Sequence, residues 1–294
     1  MKLLRPILSS VRNSLRCSAR MDGSTSAQYR RRSDTAWQRR ARQAPVAFAQ
    51  GDENYVVMTD DFIGRELFTK GFFDHPKLDA ALFALGLNRV GMLVNIGANI
   101  GDVCIPALLR GQADRVFAVE PDRINFALLK INVDWNDCGS RTTCIPAALS
   151  DSRNPIRLSQ PDWGNRGGFY VDGEVSAKAD AVVRAEGIQC FLLDDFRLNL
   201  GKSDLIFMDV EGHELQVLRG SQQTLADGVP VVLEFSADFL ATSEVDELID
   251  LLRPRQRFVN LRDVGEPQEL FALQGLRNEL LSRNRKRQTD VVIW

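Results

Sequence analysis

Short apolar runs alternate with amphipathic segments along the chain from Gly91 onward. Runs of this kind, stopped by glycine, proline or an acidic residue, are typical of buried strands. The predicted strands are Met92–Ile96, Arg115–Glu120, Thr142–Leu149, Asp204–Val210 and Val229–Phe235. Apolar positions at helical spacing predict helices over Ile100–Leu109, Asp122–Trp135 (with Asp122 as N-cap) and His213–Leu225. Because such runs separated by helices indicate a parallel sheet covered on both faces, we predict a doubly wound, mostly parallel α/β fold.

The segments around this region are less regular. A helix is expected over Pro76–Leu85, and residues 150–197, richer in Gly, Asp and Asn, predict an insertion with short antiparallel strands. Three C-terminal runs also look like strands: Gln256–Leu261, Leu270–Ala272 and Asp290–Trp294. We therefore divide the chain into an N-terminal extension (1–50), a helical lead-in segment (51–90) and a Rossmann-like domain (91–294).

Composition narrows the class of protein. With 294 residues, 44% hydrophobic and 26% charged, the chain is an ordinary globular protein. Since no uncharged apolar run approaches the ~20 residues of a membrane-spanning helix, no such helix is expected. The five cysteines are odd in number and form no C-x-x-C pair, which argues against a zinc ribbon, a redox dithiol or a disulfide scaffold. Free thiols in a reducing cytoplasm are expected.

Charge is concentrated at the N-terminus. Residues 1–50 carry eleven Lys and Arg against Asp22 and Asp34, a net +9 within a chain of net −2. Leu4, Ile7, Leu8, Val11 and Leu15 recur at helical spacing between arginines. This pattern is compatible with a helix lying on an anionic membrane, a mitochondrial transit peptide or a solvated tail. Few aromatics accompany the arginines, so nucleic acid is not an expected partner. We predict a cytoplasmic protein, with peripheral membrane contact through this extension as one option.

A glycine turn follows the first predicted strand of the domain. Gly97 and Gly101 allow a tight turn before a helix N-terminus, and Glu120 ends the next strand, where a carboxylate can accept both hydroxyls of a ribose. A dinucleotide site would have glycine in place of Asn99 to admit a diphosphate, and no phosphate-binding P-loop motif occurs. A nucleoside cofactor without a diphosphate, S-adenosylmethionine, fits this turn.

An acidic cluster leaves the fourth strand of the domain. Asp209, Glu211 and His213 are candidate catalytic residues, for cofactor contact, substrate orientation or removal of a hydroxyl proton. Gly212 follows the two carboxylates and allows the chain to turn there. Their spacing with His213 matches no standard metal site, and no metal is predicted. Glu234, at the end of the fifth strand, is expected either to be paired or to line the pocket.

These segments resemble the FkbM family of S-adenosylmethionine-dependent methyltransferases. The resemblance covers residues 91–235, and the Asp-Val-Glu-Gly motif is its most specific element. The segments that carry it are Asn95–Gly101, Phe117–Pro121, Ala147–Ser150, Leu193–Phe196, Asp209–Glu214, Val217–Gly220 and Val232–Glu234. It implies the fold of a class I methyltransferase and O-methylation of a hydroxyl on a sugar, glycan or similar natural product.

By position, the resemblance also implies roles for individual residues. The predicted cofactor-binding set is Asn95, Gly97, Ala98, Asn99 and Gly101 at the methionine end, Glu120 at the ribose and Ala148 near the adenine. Asp209 and Glu211 would face the transfer site. The chain departs from the family pattern twice: Asn95 replaces an acid, and Phe207-Met208 replaces a lysine before Asp209.

Three functions follow from these patterns. The leading prediction is an O-methyltransferase that uses S-adenosylmethionine on a small-molecule or glycan acceptor. The alternatives are a binding or scaffold protein that has lost turnover on the same fold, and a nicotinamide-dependent dehydrogenase, which the missing diphosphate glycine disfavours.

Overall fold

A mixed sheet of eight strands organises the part of the chain that the structure describes. This structure, a computed structural model, describes residues 44–160, 170–171, 182–235, 242–253, 255, 257–261, 271–272 and 289–294. The amphipathic segment predicted over residues 4–15, with most of the N-terminal extension, lies outside these residues.

The elements are numbered in chain order. The strands are β1 (Pro45–Gln50), β2 (Glu53–Met58), β3 (Val90–Ile96), β4 (Ala113–Val119), β5 (Thr142–Ile145), β6 (Ala148–Leu149), β7 (Ile156–Gln160), β8 (Tyr170–Val171), β9 (Val182–Ile188), β10 (Cys190–Phe191), β11 (Leu205–Met208), β12 (Val231–Phe235), β13 (Arg257–Asn260), β14 (Phe271–Ala272) and β15 (Thr289–Ile293). The helices are α1 (Phe62–Lys70), α2 (His75–Leu85), α3 (Cys104–Leu109), α4 (Arg123–Trp135), α5 (Glu214–Arg219), α6 (Gln222–Ala226) and α7 (Thr242–Leu251), with 3₁₀ turns at Gly139–Arg141 and Leu193–Phe196.

The order of strands in the sheet is β14-β13-β15-β12-β11-β3-β4-β5. Strands β5, β4, β3, β11 and β12 run parallel, while β15 is antiparallel to β12 and β13, and β13 to β14. The chain builds outward from β3 to β5 on one side, then returns to build β11 and β12 on the other. Strand order therefore reverses between β3 and β11, where sheets of this kind bind ligands beyond their carboxyl ends. The predicted doubly wound, mostly parallel fold is confirmed.

Both faces of the sheet are buried, which explains its uninterrupted apolar runs. Adjacent residues of β3, Leu93 and Val94, belong to two different apolar clusters and are both fully buried. One cluster includes side chains of β2, α2, α3 and α4, and the other those of α5, α6 and α7. Within the described part of the chain, none of the helices has the length and apolar character needed to cross a bilayer. The four cysteines described there are free thiols, as predicted.

An antiparallel hairpin of β1 and β2 precedes the sheet and pairs Gln50 with Glu53. The predicted boundary between residues 50 and 51 falls in the turn of this hairpin. The predicted lead-in is helical in α1 and α2, as expected near Pro76–Leu85, but it begins with strand β2. The reason is the apolar run Tyr55–Val57, which is buried against the rest of the core.

The predicted strand Thr142–Leu149 is divided in the structure. Its first half is β5 of the main sheet, and its last two residues form β6, which pairs in parallel with β10 in a separate small sheet. Pro146 lies between the halves, where the lack of an N–H interrupts a ladder. The insertion that follows contains the antiparallel strands β7, β8 and β9, and the C-terminal runs form β13, β14 and β15, as predicted.

Two predicted helices also differ in their bounds. The helix His213–Leu225 is divided into α5 and α6, separated by Gly220, where a Cβ atom would lie 2.0 Å from the Ser150 carbonyl oxygen. The helix predicted from Ile100 begins only at Cys104, because the preceding residues continue the glycine turn. Helix α4 follows its prediction, with the Asp122 carboxylate accepting from the backbone N–H groups of Ile124 and Asn125.

Candidate functional site

The turn after β3 crosses the loop after β11 at very close range. The N–H of Asp209 donates to the Ile96 carbonyl at 3.0 Å, and that of Gly97 donates to Val119 at 3.0 Å. Gly97 has a φ of 79°, and a Cβ atom there would lie 1.8 Å from the Asp209 carbonyl oxygen. Only glycine permits this approach, which joins the two loops at the point where strand order reverses.

A cavity that is partly open to solvent, with about 600 Å³ of empty space when that solvent is included, lies beyond the carboxyl ends of these strands. Seven of the predicted site residues line it: Gly97, Asn99, Glu120, Ala148, Asp209, Glu211 and His213. Four of the seven candidate cofactor residues and all three candidate catalytic residues therefore share one cavity.

The remaining three predicted residues, Asn95, Ala98 and Gly101, are not among those that line the cavity. Asn95 is buried within β3, where side chains alternate, so it faces away from the side occupied by Ile96. Ala98 is buried beneath the turn, and a Cβ atom at Gly101 would lie 2.6 Å from the side chain of Ile105. These three residues therefore pack around the turn without lining the cavity.

Glu120 joins two sides of the cavity. One carboxylate oxygen accepts from the N–H of Asn99 and the other from the N–H of Asp122, both at 2.9 Å. Burial, with the nearby charge of Asp122, raises the pKa of Glu120 to about 8, although the backbone N–H donors oppose the shift. A carboxyl held so rigidly between two loops can present its remaining lone pairs to a ligand's hydroxyl groups.

Two amide side chains complete this end of the cavity. The side-chain oxygen of Asn99 is buried without a hydrogen-bond partner, although the residue lines the cavity. Since a buried acceptor is normally paired, this oxygen suits a ligand N–H or O–H group. Asn125, which the sequence analysis missed, also lines the cavity and hydrogen-bonds to Glu120. Its place in the first turn of a helix that follows the carboxyl end of β4 was the available signal.

The loop after β11 turns both catalytic candidates toward the cavity. Glu211 has a φ of 52° and Gly212 a φ of 98°, so strand alternation ends there. The Glu214 carboxylate holds the turn by accepting from the N–H of Gly212 at 3.2 Å and of Val210 at 3.4 Å. The turn expected at Gly212 is present.

Burial and neighbouring acids raise the pKa of both carboxyl groups on this loop. Burial, then the charges of Asp209 and Glu214, raise the pKa of Glu211 to about 9. Burial and the neighbouring Glu234 raise the pKa of Asp209 well above its ordinary value. A raised pKa makes the ionised form of each carboxyl group a stronger proton acceptor.

His213 is buried and lines the cavity, but one of its nitrogens is engaged. Its Nε2 lies 3.0 Å from the hydroxyl oxygen of Ser150, which follows β6. The histidine therefore links the loop after β11 to the loop after β6.

Glu234 is paired, which is the first of the two alternatives that the sequence left open for it. Its carboxylate lies 3.3 Å from the ammonium of Lys77, a residue of α2 that the sequence analysis missed. Oxygens of Asp209, Glu211 and Glu234 lie within 4.8 Å of one another, a grouping that can hold a cation. His213, considered with the first two as a metal ligand, does not belong to this group. Lys77 places its positive charge beside this group of three carboxylates.

A sequence model of one family, described as Methyltransferase FkbM domain, matches residues 95–259. No curated protein matches the sequence significantly.

Solved structures with a similar arrangement include several methyltransferases. A methyltransferase FkbM from Methylobacillus flagellatus KT is 18% identical, with a TM-score of 0.38 over 80% of this chain and 55% of that chain. A precorrin-6y C5,15-methyltransferase from Geobacter metallireducens GS-15 is 15% identical, with a TM-score of 0.37 over 74% and 85%. TYW2 from M. jannaschii, solved in complex with AdoMet, is 8% identical, with a TM-score of 0.42 over 86% and 87%. The chain thus spans little more than half of the Methylobacillus protein.

Proposed function

The chain belongs to the FkbM methyltransferase family, and on that premise we propose that it transfers a methyl group from S-adenosylmethionine to a hydroxyl oxygen. The proposed acceptor is a sugar, a glycan or a similar natural product, as the family resemblance implies. The observation that carries the proposal is the single cavity that joins Glu120 and Asn99 to Asp209 and Glu211.

The residues of the cavity fit an adenosine with an amino acid tail. Glu120 offers a carboxylate for ribose hydroxyls, and the unpaired oxygen of Asn99 suits the amino group. Ala148 contributes an apolar wall that suits an adenine ring. When bound, S-adenosylmethionine supplies an electrophilic methyl group on a cationic sulfur.

The acidic end of the cavity suits removal of a proton from the acceptor. Transfer of a methyl group to the acceptor's hydroxyl oxygen would release the hydroxyl proton, which a nearby carboxylate would accept. Asp209 is the proposed base, because it lines the cavity and its raised pKa makes the ionised carboxylate a stronger proton acceptor. Holding the reacting groups in line and excluding water supply the rest of the rate enhancement.

Calorimetric titration of the full chain with S-adenosylmethionine, S-adenosylhomocysteine and NAD tests the cofactor. We expect binding of the first two and none of NAD. The Glu120→Gln variant should bind both S-adenosyl ligands more weakly. The control Asp227→Asn, at an exposed carboxylate outside the cavity, should bind both as the unaltered protein does.

Each other outcome points to another function. Binding of NAD alone would favour the dehydrogenase. Absence of binding by all three ligands would overturn the proposal and favour a scaffold protein that has kept only the fold.

A further inference from the structure

Lys77 brings a positive charge to the acidic end of the cavity from outside the matched family segment. It lies on α2, whereas the family match begins at residue 95. Its ammonium lies 2.8 Å from Asp290, 2.9 Å from Asp74 and 3.3 Å from Glu234. The first of these acids lies on β15, also outside the match, so two flanking elements meet at this end of the site.

Carboxylates outnumber cations around this ammonium. Five acids lie around this ammonium. Asp74, Glu234 and Asp290 contact it directly. The other two, Asp209 and Glu211, lie beside Glu234. Burial alone would lower the pKa of Lys77, but the surrounding carboxylates outweigh burial and raise it above its ordinary value. Lys77 therefore stays charged, and its side chain is only 23% exposed, which limits screening by solvent.

We propose that Lys77 is a positioning residue that sets the charge of the methyl-transfer end of the cavity. By pairing with Glu234 and Asp290 it neutralises the acids behind the site and leaves Asp209 and Glu211 facing the cavity. This inference rests on the proposed function and adds to it that the lead-in helix and the C-terminal strand complete the site.

The two forms of the cofactor provide a direct probe of this charge. S-adenosylmethionine carries one more positive charge than S-adenosylhomocysteine, on the sulfur from which the methyl group leaves. The ratio of their dissociation constants therefore reports the electrostatic potential at that point and requires no knowledge of the acceptor. A general loosening of the structure would weaken both ligands and leave the ratio unchanged.

Two variants with opposite charge changes make the test decisive, with titrations of the full chain at pH 8. Lys77→Met should shift the ratio toward S-adenosylmethionine by on the order of threefold to tenfold. Asp290→Asn should shift it toward S-adenosylhomocysteine, and Lys77→Arg should resemble the unaltered protein.

If the thermal transition shows that Lys77→Met does not fold, the proposal is tested by the direction in which Asp290→Asn shifts the ratio of dissociation constants. Unchanged ratios in the folded variants would overturn the role of Lys77 while leaving the proposed function standing. Failure of the unaltered protein to bind either ligand would overturn the proposed function itself.

Discussion

Gly97 is a single position on which the geometry of the whole site depends. Its left-handed backbone places the turn after β3 directly beneath the Asp209 carbonyl, with no space for a side chain. Gly111 offers a matched comparison, because it has a φ of 70° but nothing within 4 Å of where a Cβ atom would lie.

The pair Gly97→Ala and Gly111→Ala should separate backbone strain from steric collision. The second should lower the free energy of unfolding by about 1 kcal/mol, the strain of a left-handed alanine. Gly97→Ala adds a clash with backbone atoms to this strain. It should lower the free energy of unfolding by more than about 3 kcal/mol or prevent folding. Urea denaturation measures both, and equal losses would show that the two loops separate easily.

Between elements, Asn132 of α4 and Asn136, which caps its C-terminal end, bind the hairpin to the Rossmann-like domain. Asn132 accepts from the N–H of Val56 at 2.6 Å and donates to the carbonyls of Val56 and Ile100. One turn later, Asn136 accepts from the N–H of Asn54 at 2.8 Å and donates to its carbonyl at 2.7 Å. The helix therefore pairs with the backbone of β2 as a neighbouring strand would.

Asn132→Leu should be strongly destabilising, since it leaves a fully buried N–H without an acceptor. We expect a loss of about 2–4 kcal/mol in the free energy of unfolding and faster hydrogen exchange at Val56. Asn136→Leu, at the less buried end, should cost less. A larger loss at Asn136 would contradict the assignment of Asn132 as the main link.

Across the whole molecule, buried carboxyl groups make stability depend on pH. Burial is the largest cause that raises the pKa of Asp102 to about 7, of Glu120 and Glu234 to about 8, and of Glu211 to about 9. A carboxyl whose pKa is higher in the folded chain binds its proton more tightly there, so stability falls as pH rises through this interval.

The melting temperature should therefore decrease from about pH 5 to pH 9. Glu211→Gln should flatten the upper part of this slope, because the amide remains neutral throughout. Thermal unfolding monitored by circular dichroism gives both curves. A melting temperature that rises over this interval would show that these carboxyls are ionised in the folded chain.

At the same scale, the basic N-terminal extension remains a proposed membrane contact. Removal of residues 1–43 leaves β1 intact, and should reduce sedimentation with anionic vesicles while that with neutral vesicles stays low. Equal sedimentation of the full and shortened chains would refute the contact and favour a solvated tail or a transit peptide.

The sequence by itself determined the features that depend on neighbouring residues. Apolar runs identified β3, β4, β11 and β12, and the acceptor side chain of Asp122 identified the start of α4, because these signals are local. Gly97 and Glu120 were found in the same way, since a turn and the end of the next strand lie a fixed short distance apart. The family was also recognisable, because its motifs are short and ordered along the chain.

Only the tertiary structure decided which side chains meet across long separations. Lys77 and Glu234 are 157 residues apart, and nothing in the pattern around Lys77 distinguishes it from an ordinary surface lysine of a helix. Besides nearby Asp74, its partners come from β12 and β15, whose adjacency follows from sheet order. Likewise, Pro146 and Gly220 divided elements that looked continuous, because the deciding contacts lie with other strands and loops. Periodicity reports which face of an element is buried, whereas the packing of elements selects its neighbours.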